Sequence, residues 1–206
     1  MPQAPLPFGV LILGAGASSR MGRPKLLLPW GDTTVVGHTI RQWRELRAAQ
    51  IVVVLRPDGH SLSIELDRLG IPASDRIQNP NPERGMFSSI VCAANWNGWK
   101  ADIASIAIAL GDQPQLSLEM LRGLVQCHQK HPESVCQPEF QGRRRHPVLM
   151  PRNIFDKLKT TGAGTLKDFL KLIPCPAVQY PVNDPAVALD LDTPEDYKRA
   201  VTYIGE

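Results

Sequence analysis

The chain has 206 residues, enough to bury a core without disulfides or metal, and its 43% hydrophobic and 21% charged residues exclude long disorder and a fibrous class. A formal net charge of +3 is too small to announce a nucleic-acid binder, yet it would not repel a phosphorylated small molecule. Cys92, Cys127, Cys136 and Cys175 form no CxxC pair, and neither the opening MPQAPLP nor the apolar run Ile103 to Leu110 reads as an export signal or a membrane span, so a reducing cytoplasm and no membrane are expected.

The first predicted element is a strand from Phe8 to Gly14, apolar throughout and therefore buried on both faces. It runs into a glycine-rich turn, GAGASSRMGRPK. A helix over Thr33 to Ala49 and a second buried strand, Ile51 to Leu55, complete a parallel strand–helix–strand unit. A helix from Ser61 to Leu69, a short strand at Arg76 to Asn79 and a helix from Met86 to Trp96 follow. The strand Ile103 to Leu110 comes next, and after Pro114 a helix reaches Gln129.

The last third is less regular. Short strands are predicted at Ser134 to Gln137 and His146 to Met150, helices at Asn153 to Leu158 and Thr165 to Leu172, and strands at Val178 to Pro181 and Val187 to Leu191. A final helix starts at Pro194, with Thr193 as its N-cap and Glu195 and Asp196 in its first turn. Nothing repeats and no linker divides the chain. One domain over residues 1–206 is expected, an α/β, three-layer α/β/α Rossmann-like fold around a mostly parallel mixed sheet.

The glycine-rich turn leaves the carboxyl end of the first strand, where open α/β sheets bind ligands. Gly14 and Gly16 are expected to bend the backbone and let successive N–H groups face one anion, with Arg20 and Lys25 adding full charges. Three common templates fail. Ser19 replaces the third glycine of a dinucleotide fingerprint, no Gly-Lys-Ser/Thr follows at P-loop spacing, and Arg20 replaces the last glycine of a nucleophile elbow.

The segment instead resembles the signature LxxGxSxRMGxxK of the MobA-like nucleotidyltransferases, through Leu13, Gly16, Ser18, Arg20, Met21, Gly22 and Lys25. The resemblance extends from about Phe8 to Tyr197. It implies a nucleotidyltransferase fold and in-line attack of an acceptor phosphate on the α-phosphorus of a nucleoside triphosphate, catalysed by positioning and charge rather than by a protein nucleophile. It further implies that Arg20 and the turn amides hold the β- and γ-phosphates, that Lys25 neutralises the α-phosphate, and that Leu13, Gly14, Ala15, Gly16 and Ser18 complete the nucleotide cradle.

Magnesium would need one or two carboxylates together with phosphate oxygens and waters. Asp112, in GDQP after the strand ending at Leu110, is the first candidate; a turn or cap is its ordinary alternative. Asp190 and Asp192 in LDLDTPEDY are carried together as the second, expected to point to opposite faces of a strand so that only one reaches the metal, with Asp192 competing as a helix cap. In NPNPERGMFSSI, Asn79, Gly85, Met86 and Ser88 match the family loop along base and ribose, with a helix start near Met86 turned to the cleft. In GRRRHPVLM, Gly142 and His146 resemble the acceptor-side RGHP segment, although Arg145 stands where glycine is usual. The division that follows is a nucleotide-binding part over about residues 8–115 and an acceptor-binding part over about 134–200.

Family members that use GTP usually read LAGG in the turn and those that use CTP read LAAG; this chain reads LGAG. Ala15 therefore resembles the cytidylyl side, its methyl expected to crowd a purine amino group, while Gly14 departs from both patterns. The expected reaction is Mg-dependent transfer of CMP from CTP to molybdopterin cofactor, Arg143, Arg144 and Arg145 forming a basic rim. A guanylyltransferase, a sugar-phosphate nucleotidyltransferase and a nucleotide-binding cofactor chaperone are the alternatives. Trp96 and Trp99 are weighed as a contact for a molybdoenzyme or its delivery chaperone against the plainer role of finishing a core edge. His128 and His131 lack a third ligand and are read as surface residues at a helix end, not as a zinc site.

Overall fold

The computed structural model describes residues 6–205. Strand β1 (Phe8–Leu13) leads through the turn to a small hairpin, β2 (Pro29–Trp30) and β3 (Thr33–Thr34), and then to α1 (Val35–Glu45) and β4 (Gln50–Leu55). The helix begins later than its periodicity suggests because Thr34 closes the hairpin and caps α1, its side chain accepting from the Gly37 amide. There follow α2 (His60–Arg68), β5 (Arg76–Gln78), α3 (Met86–Asn95), β6 (Ser105–Leu110) and α4 (Leu118–Lys130). Next are β7 (Val135–Phe140), β8 (Arg143–Arg144), β9 (Val148–Pro151), α5 (Arg152–Asp156), α6 (Leu166–Leu172), β10 (Ala177–Pro181) and α7 (Pro194–Gly205).

The main sheet runs β10-β7-β9-β6-β1-β4-β5, with β8 paired to β7. β1 is parallel to both β4 and β6, and β10 is parallel to β7, whereas β9 runs against its two neighbours, giving the expected mostly parallel mixed sheet. Period-two alternation divides the core into two layers. Val10 and Ile12 of β1 face α1, α2 and α4, whereas Leu11 faces α3, α5 and α6. All are fully buried, so the run has no polar face and reads as continuous hydrophobicity.

The order places the reversal point between β1 and β6: from β1 the chain winds one way to β4 and β5, then returns to lay β6 on the other side. Leu13 and Leu110, last residues of the two strands, are in register, so both following loops open onto one crevice.

One predicted strand is absent. Residues Pro185–Ala188 form a short 3-10 helix, with Asp184 capping at the Ala186 amide, and an unpaired extended strap carries the chain on to Thr193. Alternation in AVALDLD arises because Val187 of this short helix and Leu191 of the strap pack inward, not because the segment joins the sheet. His128 is also not a surface residue: it is 5% exposed in α4. Trp99 is buried, donates its indole N–H to Ala93 O at 3.0 Å and meets Trp96 edge-on at 5.6 Å, which is the core-edge role.

Candidate active site

After β1 the chain passes directly into the turn. Gly14 N donates to Val54 O at 2.9 Å, holding the start of the turn against β4. Neither Gly14 nor Gly16 has a positive φ; the reversal is made by Ser18 (φ 51°) and Gly22 (φ 71°). This corrects the expectation that the two leading glycines bend the chain. Gly14 is required for space, since a Cβ there would lie 2.9 Å from Val54 O, whereas Gly16 has nothing within 4 Å. Ser18 Oγ accepts from the Lys25 amide at 3.2 Å and closes the loop on itself.

Lys25, at the start of the 3-10 helix Lys25–Leu27, is the centre of the constellation. Its Nζ is ion-paired to Asp112 Oδ2 and to Asp192 Oδ1, the latter at 3.0 Å, and its side chain is 13% exposed. Burial alone lowers an ammonium pKa, but here the Asp112 and Asp192 carboxylates outweigh it and the Lys25 pKa is raised. Arg20, largely exposed, reaches Asp192 Oδ2 at 2.7 Å. Asp190 is pushed the other way: burial and the charges of Asp112 and Asp192 raise its pKa, against Arg145 and Lys25.

A crevice of about 790 Å³ brings together Leu13, Ala15, Gly16, Ser18, Arg20, Lys25, Gly85, Asp112, Asp190 and Asp192. Both strap carboxylates line it. Residues two apart in extended chain share a face, and Leu191 between them is fully buried, so the expectation of opposite faces is wrong. A second cavity of about 430 Å³ lies across the turn against α2, but no catalytic carboxylate candidate borders it.

Five expected residues are not in the crevice wall, the first being Gly14, which borders the second cavity instead. Asn79 is 2% exposed and its amide is used internally, Nδ2 donating to Ser88 Oγ at 2.8 Å and Ser89 Oγ at 2.9 Å while Oδ1 accepts from the Asn81 amide. Asn79 and Ser88 therefore shape the loop that presents Gly85, whose φ of +87° opens α3 without a side-chain cap. Gly142 sits exposed at the β7–β8 tip with φ +73°, and His146 rests its Nδ1 3.3 Å from Ile108 O. Arg56, Glu83, Met86 and Ser89 do line the crevice; the last three belong to the NPNPERGMFSSI segment already singled out, whereas Arg56 carries no sequence motif and only its position just past β4 could have flagged it.

Asp112, Asp190 and Asp192 offer hard oxygens of the kind a divalent ion takes, and the repulsion felt by Asp190 is what a cation would relieve. Among the described residues no group of three or more His, Cys, Asp or Glu is close enough to hold a metal by itself. An ion here would need substrate oxygens to complete its shell.

A family model described as the MobA-like NTP transferase domain matches residues 10–178. The chain belongs to that family. It is a nucleotidyltransferase, 23% identical over 189 residues to the molybdenum cofactor cytidylyltransferase of Escherichia coli K12, covering 91% of this chain and 92% of that protein. It is 31% identical over 141 residues to a probable molybdenum cofactor guanylyltransferase of Rhodopirellula baltica, covering 66% of this chain and 63% of that one. Among solved structures, Rv0371c of Mycobacterium tuberculosis H37Rv superposes with a TM-score of 0.76 at 25% identity, over 95% of this chain and 98% of that one. Its manganese complex superposes with a TM-score of 0.68 at 24% identity, over 95% and 98%.

Proposed function

We propose that this nucleotidyltransferase moves CMP from CTP to the terminal phosphate of molybdopterin cofactor, with Mg2+ and release of pyrophosphate. The observation that carries the reading is the meeting of Lys25, Asp112 and Asp192 at the mouth of the crevice between β1 and β6. An acceptor phosphate oxygen attacks the α-phosphorus, a new P–O bond forms, and the bond to the β-phosphate oxygen breaks with its electron pair leaving on pyrophosphate. Negative charge stays high throughout, so fixed cations are the main requirement.

Lys25 is the compact point charge for the α-phosphate, held in place by its two carboxylates. Arg20 and the free amides of the extended turn take the outer phosphates. Leu13, Gly14, Ala15, Gly16 and Ser18 form the cradle, with Gly85 at the α3 start and, through the loop they build, Asn79 and Ser88 on the base side. Asp112, with Asp190 and Asp192, would hold Mg2+, which when bound offsets phosphate charge. The manganese complex of the mycobacterial protein supports a divalent ion. In this reading residues about 8–115 serve the nucleotide and about 134–200 the acceptor, with Gly142 and His146 on that side.

CTP is favoured because Ala15 is buried in the crevice wall, where its methyl narrows the base end, and because the Escherichia coli relative matches nearly the whole chain. GTP is the second reading, supported by the guanylyltransferase match. Four free thiols suit a reducing cytoplasm. The deciding experiment incubates the protein with Mg2+, molybdopterin cofactor and each nucleoside triphosphate in turn and follows pyrophosphate. Release with CTP alone is expected; release with GTP alone reassigns the base, and none with any nucleotide removes the cofactor reading.

A further inference from the structure

Gln115 lies in the loop after β6 that also carries Asp112, and it is 3% exposed. Its Nε2 donates to Leu189 O at 2.7 Å and to Ala186 O at 3.2 Å, partners 74 and 71 positions away in sequence. Leu189 lies in the strap that delivers Asp190 and Asp192, and Ala186 in the short 3-10 helix that leads into it. The loop is anchored from the other side by Gln42 of α1, whose Nε2 donates to Leu116 O.

The two carboxylate-bearing segments share no strand ladder, since the strap lies outside the sheet. Val187 and Leu191 hold it by apolar packing, which is non-directional and tolerates sliding. Lys25 bridges Asp112 and Asp192 but must also serve the substrate. A directional bond to the carbonyl of Leu189, the residue next to Asp190, fixes the register. Gln115 Oε1 is buried with no partner, so the side chain's hydrogen bonds go to these two carbonyls alone.

We propose that Gln115 is a positioning residue that ties the strap carrying Asp190 and Asp192 to the loop carrying Asp112, so that these carboxylates are in place for a divalent cation that binds together with the nucleotide phosphates. The proposal rests on the reading above that these carboxylates hold the ion. Its test uses Gln115→Met, which keeps length and volume without donors, and Gln115→Glu, which turns acceptors toward two carbonyls. Two quantities are read beside the thermal midpoint: amide hydrogen exchange over residues 186–191, and Mn2+ binding, by the electron spin resonance of free Mn2+, in the presence of an α,β-methylene CTP analogue.

Expected are near-native thermal midpoints, faster exchange in the strap, and Mn2+ binding weaker by roughly 10-fold or more, with metal-free nucleotide binding unchanged. Unaltered exchange overturns the tether, and altered exchange with native Mn2+ binding overturns the positioning role. Should Gln115→Glu fail to fold, Gln115→Met decides. A wild-type protein that takes up no Mn2+ with nucleotide removes the metal reading and this proposal together, whereas wild-type uptake with unaffected variants removes only the proposal.

Discussion

At Gly14 a Cβ would stand 2.9 Å from the Val54 carbonyl oxygen and 3.3 Å from Leu62, so the space an alanine would take in the family patterns LAGG and LAAG is filled here by β4 and α2. Gly14→Ala must displace backbone, and overpacking of that kind costs about 1–3 kcal/mol, more than the roughly 0.4–1 kcal/mol gained by stiffening the unfolded chain. Denaturant unfolding should show a net loss on the order of 1 kcal/mol. Gly16→Ala meets nothing within 4 Å and has no positive φ to forbid it, so its unfolding midpoint should equal or slightly exceed that of wild type, with a gain in stability of up to the same roughly 0.4–1 kcal/mol. If it nevertheless weakens nucleotide binding, the cause is the ligand's approach to the backbone; unchanged affinity would mean that no phosphate comes close there. Lys25→Ala and Asp112→Ala remove the cation and its nearest carboxylate. Pyrophosphate release should fall roughly 100-fold or more in each with the fold retained, and near-native turnover in either would refute the assigned roles.

At the scale of elements, the helix α7 start also fixes the strap from its far end. Thr193 Oγ1 accepts from the Asp196 amide at 3.2 Å while Asp196 Oδ2 accepts from the Thr193 amide at 3.0 Å, a reciprocal cap legible in TPED. Thr193→Ala should cost about 1 kcal/mol in chemical denaturation, and faster exchange at the first turn of α7 would locate the loss. The strands β1, β4 and β6 were equally legible, because burial on both faces leaves uninterrupted apolar runs. The strap was not: Val187 and Leu191 give strand-like spacing, yet their burial comes from one-sided packing that periodicity cannot distinguish from a ladder. The charged set Arg20, Lys25 and Asp112 could be named from motifs. Gln115 could not, since its role depends on partners more than seventy positions away. Asn79 and Ser88 were found by motif but misplaced, because both polar groups close the loop instead of lining the crevice.

Over the whole molecule, the same two-layer burial that creates the crevice sets a pH dependence. His38, His128 and His146 come from α1, α4 and the β8–β9 connection, and burial lowers the pKa of each, with a nearby Arg41 adding to the effect at His38. In the unfolded chain these imidazoles titrate near an ordinary value of about 6.5. As pH falls the unfolded state therefore binds protons first, so their contribution to stability is complete above about pH 6.5 and is lost progressively below it. The carboxylates held low by hydrogen bonds, Glu65 and Asp196 among them, lose their contribution only near and below about pH 4. Asp190, raised in the fold, acts in the opposite sense and gains stability as pH drops through its folded pKa. Three groups against one should leave a net decline in the thermal midpoint between pH 7.5 and 5.5. His128→Gln, with its buried Nδ1 unpartnered in the native chain, should flatten that decline without touching the crevice. A midpoint that stays level over the interval in wild type, or a slope that the substitution leaves unchanged, would show that the buried imidazoles do not control acid stability.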